Sequence, residues 1–200
     1  MTHMLMNCVK RKGIFVLAGI ILICTTTCTN PFFPSAYSIG EKGPAGGRIF
    51  YDKGRFSDGW RYLEAAPEDN PYVSYSACYA FTNDDYLGTS FGVGTGKDNT
   101  RLIVAYEGNN GGSAAKLCNI LSCNGYNDWF LPSIDELELM YNNLYLKGLW
   151  SPYYSYYYYW SSSESSEEDF TSAYYFDFLA ESRNTASKTS YNQFWPVRRF

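Results

Sequence analysis

Residues 124–144 read NGYNDWFLPSIDELELMYNNL and contain the clearest helix start in the chain. Ser133 precedes Glu136 by three positions, the spacing of a capping box, in which each side chain bonds a backbone N–H of the other residue. Apolar residues then recur at the spacing of one helix face. They are Ile134, Leu137, Met140, Tyr141 and Leu144. The stretch predicts a helix of about three turns that packs one face into the core.

A turn and an apolar run precede this helix. The pair Asn124-Gly125 is typical of a tight turn. Trp129, Phe130 and Leu131 form a short apolar run, which predicts a buried segment. The turn, the run and the helix together indicate one core-forming unit, around which we expect the rest of the chain to fold.

The same stretch carries a family resemblance. Its string GYNDWFLPSIDEL is similar to the signature of the bacterial extracellular domain family named after the C-terminal domain of the Legionella collagen-like protein. Further strings resemble the family in the same order, and together they cover roughly residues 38–200. These strings are GEKGPAGGRIFYDKG, GWRYLEAAP, GTGKDNT, YYWSSSE and PVRRF.

The resemblance implies a C-type lectin-like fold, in the subtype shared with formylglycine-generating enzymes and with the variable proteins of diversity-generating retroelements. The chain is also similar to treponemal variable-protein type lipoproteins. The sequence pattern independently predicts the α+β class, with short helices around small antiparallel sheets and long loops. We expect strands at residues 48–51 and 60–65 and a helix at 113–121.

The N-terminus has the pattern of a signal peptide. Three basic residues precede an apolar run at residues 13–23, which is too short to span a bilayer but suits a signal sequence. The cysteines that follow, Cys24 and Cys28, resemble the attachment site of bacterial lipoproteins. We predict lipidation at Cys28, although residues 25–27 are threonines where a leucine and small residues are usual.

This interpretation divides the chain into three parts. Residues 1–28 are the signal peptide with its lipid-attachment cysteine, residues 29–37 are a tether, and residues 38–200 are the C-type lectin-like domain. The predicted location is the cell envelope, with a lipid anchor in the membrane and the domain at the outer surface. Simple secretion and a retained anchor are the alternatives.

Cleavage of the signal would exclude several kinds of catalytic and metal site and would make the chain more acidic. It would remove His3, the only histidine, which excludes Ser-His-Asp catalysis, Cys-His catalysis and the usual zinc sites. It would also leave 13 of the 16 Lys and Arg residues against 20 Asp and Glu, a net charge of −7. Because such a surface repels polyanions, nucleic acid is not an expected partner.

The string FGVGTGKDNT does not fit a phosphate-binding loop. Phe91 and Asp98 stand where the Walker pattern needs Gly and Ser or Thr, and Lys97 stands where the dinucleotide pattern needs Gly. We expect instead that Asp98 or Asn99 caps a helix over residues 100–106. The residues predicted to face inward on that helix are Leu102, Ile103 and Tyr106.

No metal or cofactor is predicted. Asp84, Asp85, Asp98 and Asn99 offer oxygen atoms but lack the spacing of an EF-hand. Cys118 and Cys123 are five positions apart, which leaves two alternatives open. They form a disulfide, or together with Cys78 they are three buried thiols.

The C-terminal quarter has an unusual composition. Residues 151–200 hold nine of the 20 tyrosines and 11 serines. Strands are expected near residues 159–161, 174–178 and 195–200, with loops at 164–169 and 180–191. The residues between 153 and 191 resemble the set that adenine-directed retroelement rewriting produces, which is mainly Asn, Tyr, Ser, Asp, Thr, Ala and Phe.

The tyrosine run cannot be buried as a whole, because the two faces of a strand alternate. Contiguous exposed aromatic residues usually mark a binding surface, and tyrosine is favoured on recognition surfaces. The resemblance places Trp160 and the serines at 161–163 in the scaffold. Alternation implies that one of Tyr174 and Tyr175 points inward. The predicted ligand-binding residues are Tyr153, Tyr154, Tyr156, Tyr157, Tyr158, Asp169, Phe170, Tyr174, Tyr175 and Asp177.

These observations predict a surface-displayed lipoprotein that binds a protein or glycan ligand through a tyrosine-rich, retroelement-diversified C-terminal face. The alternative is a fixed structural or self-associating envelope lipoprotein. We expect no enzymatic activity, because formylglycine-generating chemistry relies on a cysteine in the C-terminal part of the fold and no cysteine follows Cys123.

Overall fold

The computed structural model of the protein describes residues 36–69, 85–108, 112–151 and 157–200. Within these ranges the chain forms short helices and antiparallel strands, so the fold belongs to the predicted α+β class. The elements are β1 (Arg48–Ser57), β2 (Trp60–Ala65), α1 (Gly96–Glu107), α2 (Ala114–Ile120), α3 (Ile134–Met140), β3 (Tyr158–Glu164), β4 (Ser172–Asp177), β5 (Ser182–Ser187) and β6 (Val197–Arg199).

The strands form two small sheets. In the first, the order is β1-β2-β6, and in the second it is β3-β4-β5, with every neighbouring pair antiparallel. Val197 of β6 pairs with Phe130, four residues before α3. We call α3 the organising helix, because the sequence predicts that the fold is built around it. The last strand therefore joins the first sheet to the predicted core-forming unit.

The second sheet separates two apolar clusters. Neighbouring strand residues point to opposite faces, so Tyr159 and Phe176 enter the larger cluster, whereas Trp160 and Ala173 enter the smaller one. The larger cluster also contains Trp129 and the inward face of α3. Both faces of the middle of this sheet are therefore packed against apolar side chains.

The organising helix has the predicted start. The Ser133 hydroxyl oxygen accepts a hydrogen bond from the Glu136 N–H, and the Glu136 carboxylate accepts one from the Ser133 N–H at 2.8 Å. A π-helical turn, Tyr141–Tyr145, continues α3. All five residues of the predicted inward face are buried, as are the three of the preceding apolar run. The prediction for residues 129–144 is confirmed.

The prediction for α1 was wrong in its start and in two of the three residues of its inward face, since only Ile103 is buried. The helix begins at Gly96 behind Thr95, and both Leu102 and Tyr106 are about half exposed. The buried residues of α1 are Gly96, Asn99, Thr100 and Ile103. This stripe has helical spacing, but three of its four members are polar or glycine, so an apolar pattern could not reveal it.

The prediction of a loop over residues 180–191 was also wrong. It contains β5, which pairs with β4 at six successive positions. This strand lies at the edge of its sheet and carries no large apolar residue, so the usual alternation is absent from its sequence. The first strand likewise continues beyond residue 51 to Ser57.

Two further findings concern the cysteines and the membrane. Cys118 and Cys123 are buried thiols that are not joined to each other, which removes the disulfide alternative. Among the residues that the structure describes, no helix is both long and apolar enough to cross a bilayer.

Candidate functional site

Three of the predicted ligand residues, Tyr158, Tyr175 and Asp177, lie together on one face of the second sheet. Tyr158 of β3 stands opposite Asp177 of β4, and Trp160 stands opposite Tyr175. The rings of Tyr158 and Tyr175 meet edge to face, with centroids 5.5 Å apart. We call these three residues the tyrosine face.

Buried scaffold residues position the tyrosine face. The Tyr175 ring lies 5.9 Å from the fully buried Trp160 ring. The Asp177 Oδ1 atom accepts hydrogen bonds of 2.9 Å from the backbone N–H groups of Leu179 and Ala180, which fixes the carboxylate at the following turn. The Tyr175 ring and the Asp177 carboxylate are therefore held in place by neighbouring groups of the fold.

The tyrosine face combines aromatic and polar chemistry. Tyr158 has 47% of its surface exposed, while Tyr175 and Asp177 are half-buried. Asn184 of β5 lies opposite Tyr175 and adds a half-buried amide. Burial, followed by the Asp177 charge, raises the pKa of Tyr175. Its hydroxyl is therefore protonated at neutral pH and able to donate a hydrogen bond.

The other predicted ligand residues are elsewhere. Tyr174 points to the opposite face, where its half-buried ring packs on Phe91 at 5.3 Å. Tyr157 is half-buried against the larger cluster. Asp169 and Phe170 are exposed in the connection between β3 and β4. That connection is at the Glu164 end of β3, about 20 Å along the strand from Tyr158.

The remaining predicted residues lie outside the described part of the chain. They are Tyr153, Tyr154 and Tyr156, together with the lipidation residue Cys28. Sequence reasoning did not select Asn184, because it lies in a segment predicted to be a loop. The sequence signal for Asn184 is weak, because half-buried and exposed residues alternate along β5 without any large apolar residue among them.

The family-like strings form a separate, buried polar framework. Glu136 is fully buried and accepts hydrogen bonds from the N–H groups of Gly94 and Ser133, both at 2.8 Å. Burial raises its pKa to about 7, against the effect of these donors and that of Gly96. Arg199 donates to the Gly94 carbonyl at 2.6 Å. These contacts join the strings GTGKDNT, GYNDWFLPSIDEL and PVRRF.

A second part of the framework surrounds Arg198. Its guanidinium donates to the buried Glu64 carboxylate at 3.1 Å and to both carboxylate oxygens of Asp128 at 2.9 and 3.2 Å. It also lies 4.0 Å over the Tyr126 ring. Glu64 accepts two further bonds, from the N–H groups of Ala45 and Gly47. Burial raises the pKa of Glu64, while Arg198 and the Gly47 N–H oppose this shift.

A third part ties residues 85–89 to the second sheet. Lys188 and Glu164 form an ion pair of 2.8 Å in which both side chains are essentially inaccessible to solvent. Glu164 also accepts from the N–H groups of Leu87 and Thr89. Lys188 donates to the Asp85 carbonyl at 2.7 Å.

The described residues also line two polar clefts. One, of about 250 Å³, is lined by Lys97, Thr100, Arg101, Asn119, Asn127, Asp128, Trp129 and Phe130. The other, of about 310 Å³, lies around Lys42, Arg48 and Asn124. Neither includes the tyrosine face. No group of three or more His, Cys, Asp or Glu side chains able to hold a metal ion is present in the described ranges.

The α+β fold and this framework define the class of domain, and comparison with known families gives the particular one. The family model of the Lcl C-terminal domain matches residues 65–198, which is more than half of the chain. The chain therefore belongs to the Lcl C-terminal domain family. This membership indicates an extracellular bacterial surface protein. No curated protein matches the chain.

Proposed function

We propose that the protein is a lipid-anchored surface protein whose C-type lectin-like domain binds a protein or glycan ligand through the tyrosine face. The observation that carries this proposal is the edge-to-face pair of Tyr158 and Tyr175, half exposed beside Asp177 on a rigid sheet. An aromatic surface that is fixed before binding loses little conformational entropy when a ligand arrives.

The chemistry of the face limits the class of ligand. Exposed ring surface offers apolar contact, while the Asp177 carboxylate and the Asn184 amide offer hydrogen bonds. This combination suits a protein surface or the mixed apolar and hydroxyl face of a sugar. The excess of acidic residues, 20 against 16 basic ones in the full chain, disfavours a polyanionic ligand such as nucleic acid.

The proposal includes retroelement diversification of the C-terminal region and excludes catalysis. The support for diversification is the composition of residues 153–191, in which Tyr, Ser, Asn, Asp, Thr and Phe are frequent. The alternative is a fixed structural or self-associating envelope lipoprotein. Sequences of residues 145–200 from many isolates would separate the two. Differences confined to adenine-containing codons, beside a near-copy template and a reverse transcriptase, support diversification, whereas an invariant tail refutes it.

Ligand binding is tested by screening the full chain against glycan and matrix-protein arrays and then comparing two variants. Tyr158→Ala removes the exposed ring of the tyrosine face. Tyr86→Ala is the matched control, because Tyr86 is similarly exposed at 42% but is next to Leu87, which bonds Glu164 at the other end of β3.

We expect Tyr158→Ala to weaken binding by about 10-fold or more, the loss typical of an aromatic anchor, and Tyr86→Ala to leave it unchanged. Equal effects of the two variants on every ligand would refute the assignment of this face.

A further inference from the structure

The two sheets have four outer edges, and in the described part of the chain that of β5 has no backbone neighbour from Arg183 to Thr185. The outer edge of β6 pairs with Phe130, and that of β3 pairs with Gln193. The edge of β1 is met at Ile49 by Glu41 and Gly40. The outer edge of β5 has no such neighbour among the described residues.

The hydrogen-bond pattern shows which backbone groups of β5 point outward. The carbonyls of Ser172 and Tyr174 accept bonds from β3 residues or the residue after β3, so they point away from β5. Tyr174 is opposite Thr185. Because bonded and non-bonded pairs alternate in an antiparallel ladder, the N–H and C=O groups of Arg183 and Thr185 point to the open edge. In the described ranges no hydrogen bond reaches these four groups.

This edge lacks the features that usually prevent strand pairing. Such features are proline, lysine, a bulge or an unpaired charge on the edge. The β5 sequence SRNTAS contains neither proline nor lysine, and its register with β4 is continuous. Its only charge, on Arg183, is bound by Asp135 at 2.8 Å and by Glu138.

We propose that β5 pairs with β5 of a second copy of this protein, antiparallel about a two-fold axis through Asn184. This register places Arg183 of one copy opposite Thr185 of the other, and the reverse. The resulting four backbone hydrogen bonds use the N–H and C=O groups of Arg183 and Thr185 in each copy. The Ser187 carbonyl, which already accepts from the Ser190 N–H, is not required.

A second copy fits this edge better than an unrelated strand for two reasons. The same four groups are open on both partners, so one two-fold operation satisfies them all. The register also places no two like charges directly opposite, which would destabilise the pair. One pair of short strands buries much less than a standard interface of about 1,600 Å², so the dimer is weak and forms at high local concentration.

The dimer would display two tyrosine faces on the same side of a six-stranded sheet. A two-fold axis perpendicular to the sheet keeps equivalent faces together. Strands lie about 4.8 Å apart and rise about 3.3 Å per residue. The two Tyr175 residues, aligned with the axis at Asn184, would therefore be about 14 Å apart. The two Tyr158 residues, each two positions from the axis along its strand, would be about 27 Å apart. A ligand with repeated epitopes would then be bound bivalently.

The test removes the outward N–H of Thr185 and measures dimerisation by sedimentation of the full chain in mild detergent over a wide concentration range. Thr185→Pro lacks this N–H, and an edge strand tolerates proline where the N–H faces away from the sheet. Because two of the four backbone hydrogen bonds of the dimer are lost, we expect the dissociation constant to rise by about 5- to 150-fold. Thr185→Val is the control, because it keeps the charge and the backbone N–H unchanged.

Two results would overturn the proposal. One is a wild type that stays monomeric at the highest concentration, or a Thr185→Pro variant that dimerises as strongly as Thr185→Val. The other is protection of the Arg183 and Thr185 amides from hydrogen exchange that is the same in dilute and concentrated samples, because the edge would then be covered within one chain. Two results together support the pairing. Protection of both amides rises with concentration in the wild type, and the Arg183 amide loses this protection in Thr185→Pro.

Discussion

Replacement of Arg198 by methionine tests whether the buried framework stabilises the fold. Methionine keeps most of the side-chain length but removes the charge and all its donors. The substitution leaves the fully buried Glu64 carboxylate without its cation and breaks both bonds to Asp128. It also removes the guanidinium from the Tyr126 ring.

The structure sets the expected size of this loss. Removing one partner of a buried ion pair costs about 3–5 kcal/mol. Glu64 keeps the two N–H donors of Ala45 and Gly47, so we expect the lower end, about 3 kcal/mol. For a domain of this size, this corresponds to a melting temperature lower by about 6–12 °C.

Arg61→Met is the matched control. Arg61 also donates to both oxygens of one carboxylate, Asp52 at 2.8 and 2.9 Å, and lies 4.8 Å over the Tyr62 ring. Its pair is partly exposed, with 29% and 27% of the two side chains accessible, whereas Arg198 and Glu64 have 5% and 0%. Because solvent screens an exposed pair, Arg61→Met should cost much less than Arg198→Met.

Urea unfolding of the full chain, followed by tryptophan fluorescence, measures these free energies. If the loss of stability comes from the Glu64 carboxylate left without its cation, adding Glu64→Gln to Arg198→Met should recover part of the free energy of unfolding. The deficit should also shrink at low pH, where Glu64 takes up a proton. The reasoning is refuted if Arg198→Met costs no more than Arg61→Met, or if the double variant is as unstable as the sum of the single ones.

Three further predictions concern the organising helix. Burial raises the pKa of Glu136 to about 7, so the folded state holds a proton that the unfolded state has lost between about pH 4.5 and 7. Stability should therefore fall as pH rises through this window, and in Glu136→Leu this part of the pH dependence of urea unfolding should vanish. Gly96→Ala should lower the free energy of unfolding in urea by about 1–3 kcal/mol, because the new Cβ would contact the Glu136 carboxylate and lie 2.8 Å from the Ser133 N atom. Gly92→Ala is the control and should be neutral, since its Cβ has only an ordinary contact at 3.8 Å. Ser133→Ala should lower the free energy of unfolding by about 1–2 kcal/mol and lower the melting temperature accordingly. The buried Ser133 hydroxyl oxygen caps α3, and its proton is donated to the Gly92 carbonyl. An unchanged melting temperature would contradict the capping role.

The sequence predicted those parts of the fold in which apolar spacing and capping agree. Ser133 and Glu136 are local, so their spacing alone defined the start of α3. The buried face of α1 was not predictable in this way, because Asn99 and Thr100 are held by distant partners. Asn99 bonds the Ser90 backbone and Ser162, and Thr100 bonds the Leu131 backbone. Tertiary hydrogen bonds of this kind leave no periodic signal.

The candidate site was predictable in composition but not in arrangement. Alternation correctly separated Tyr174 from Tyr175. It could not show that Asp177 lies beside Tyr158, at the opposite end of β3 from Asp169 and Phe170, because that depends on β4 running antiparallel to β3. The edge strand β5, which supplies Asn184, was missed because an exposed edge needs no apolar residues.

The buried polar residues and the exposed aromatic residues have different roles in this structure. The family-like strings contribute buried ion pairs, such as Glu64 with Arg198, that join segments distant in sequence. Tyr158, by contrast, contacts Tyr175 at the surface and supports none of these pairs. Substituting Tyr158 should therefore change the tyrosine face at little cost in stability. The adjacent Tyr159 and Trp160 are buried in the two clusters, and their loss would open cavities. A fold built in this way can tolerate changes at one strand position while excluding them at the next, which the proposed diversification of the C-terminal region would require.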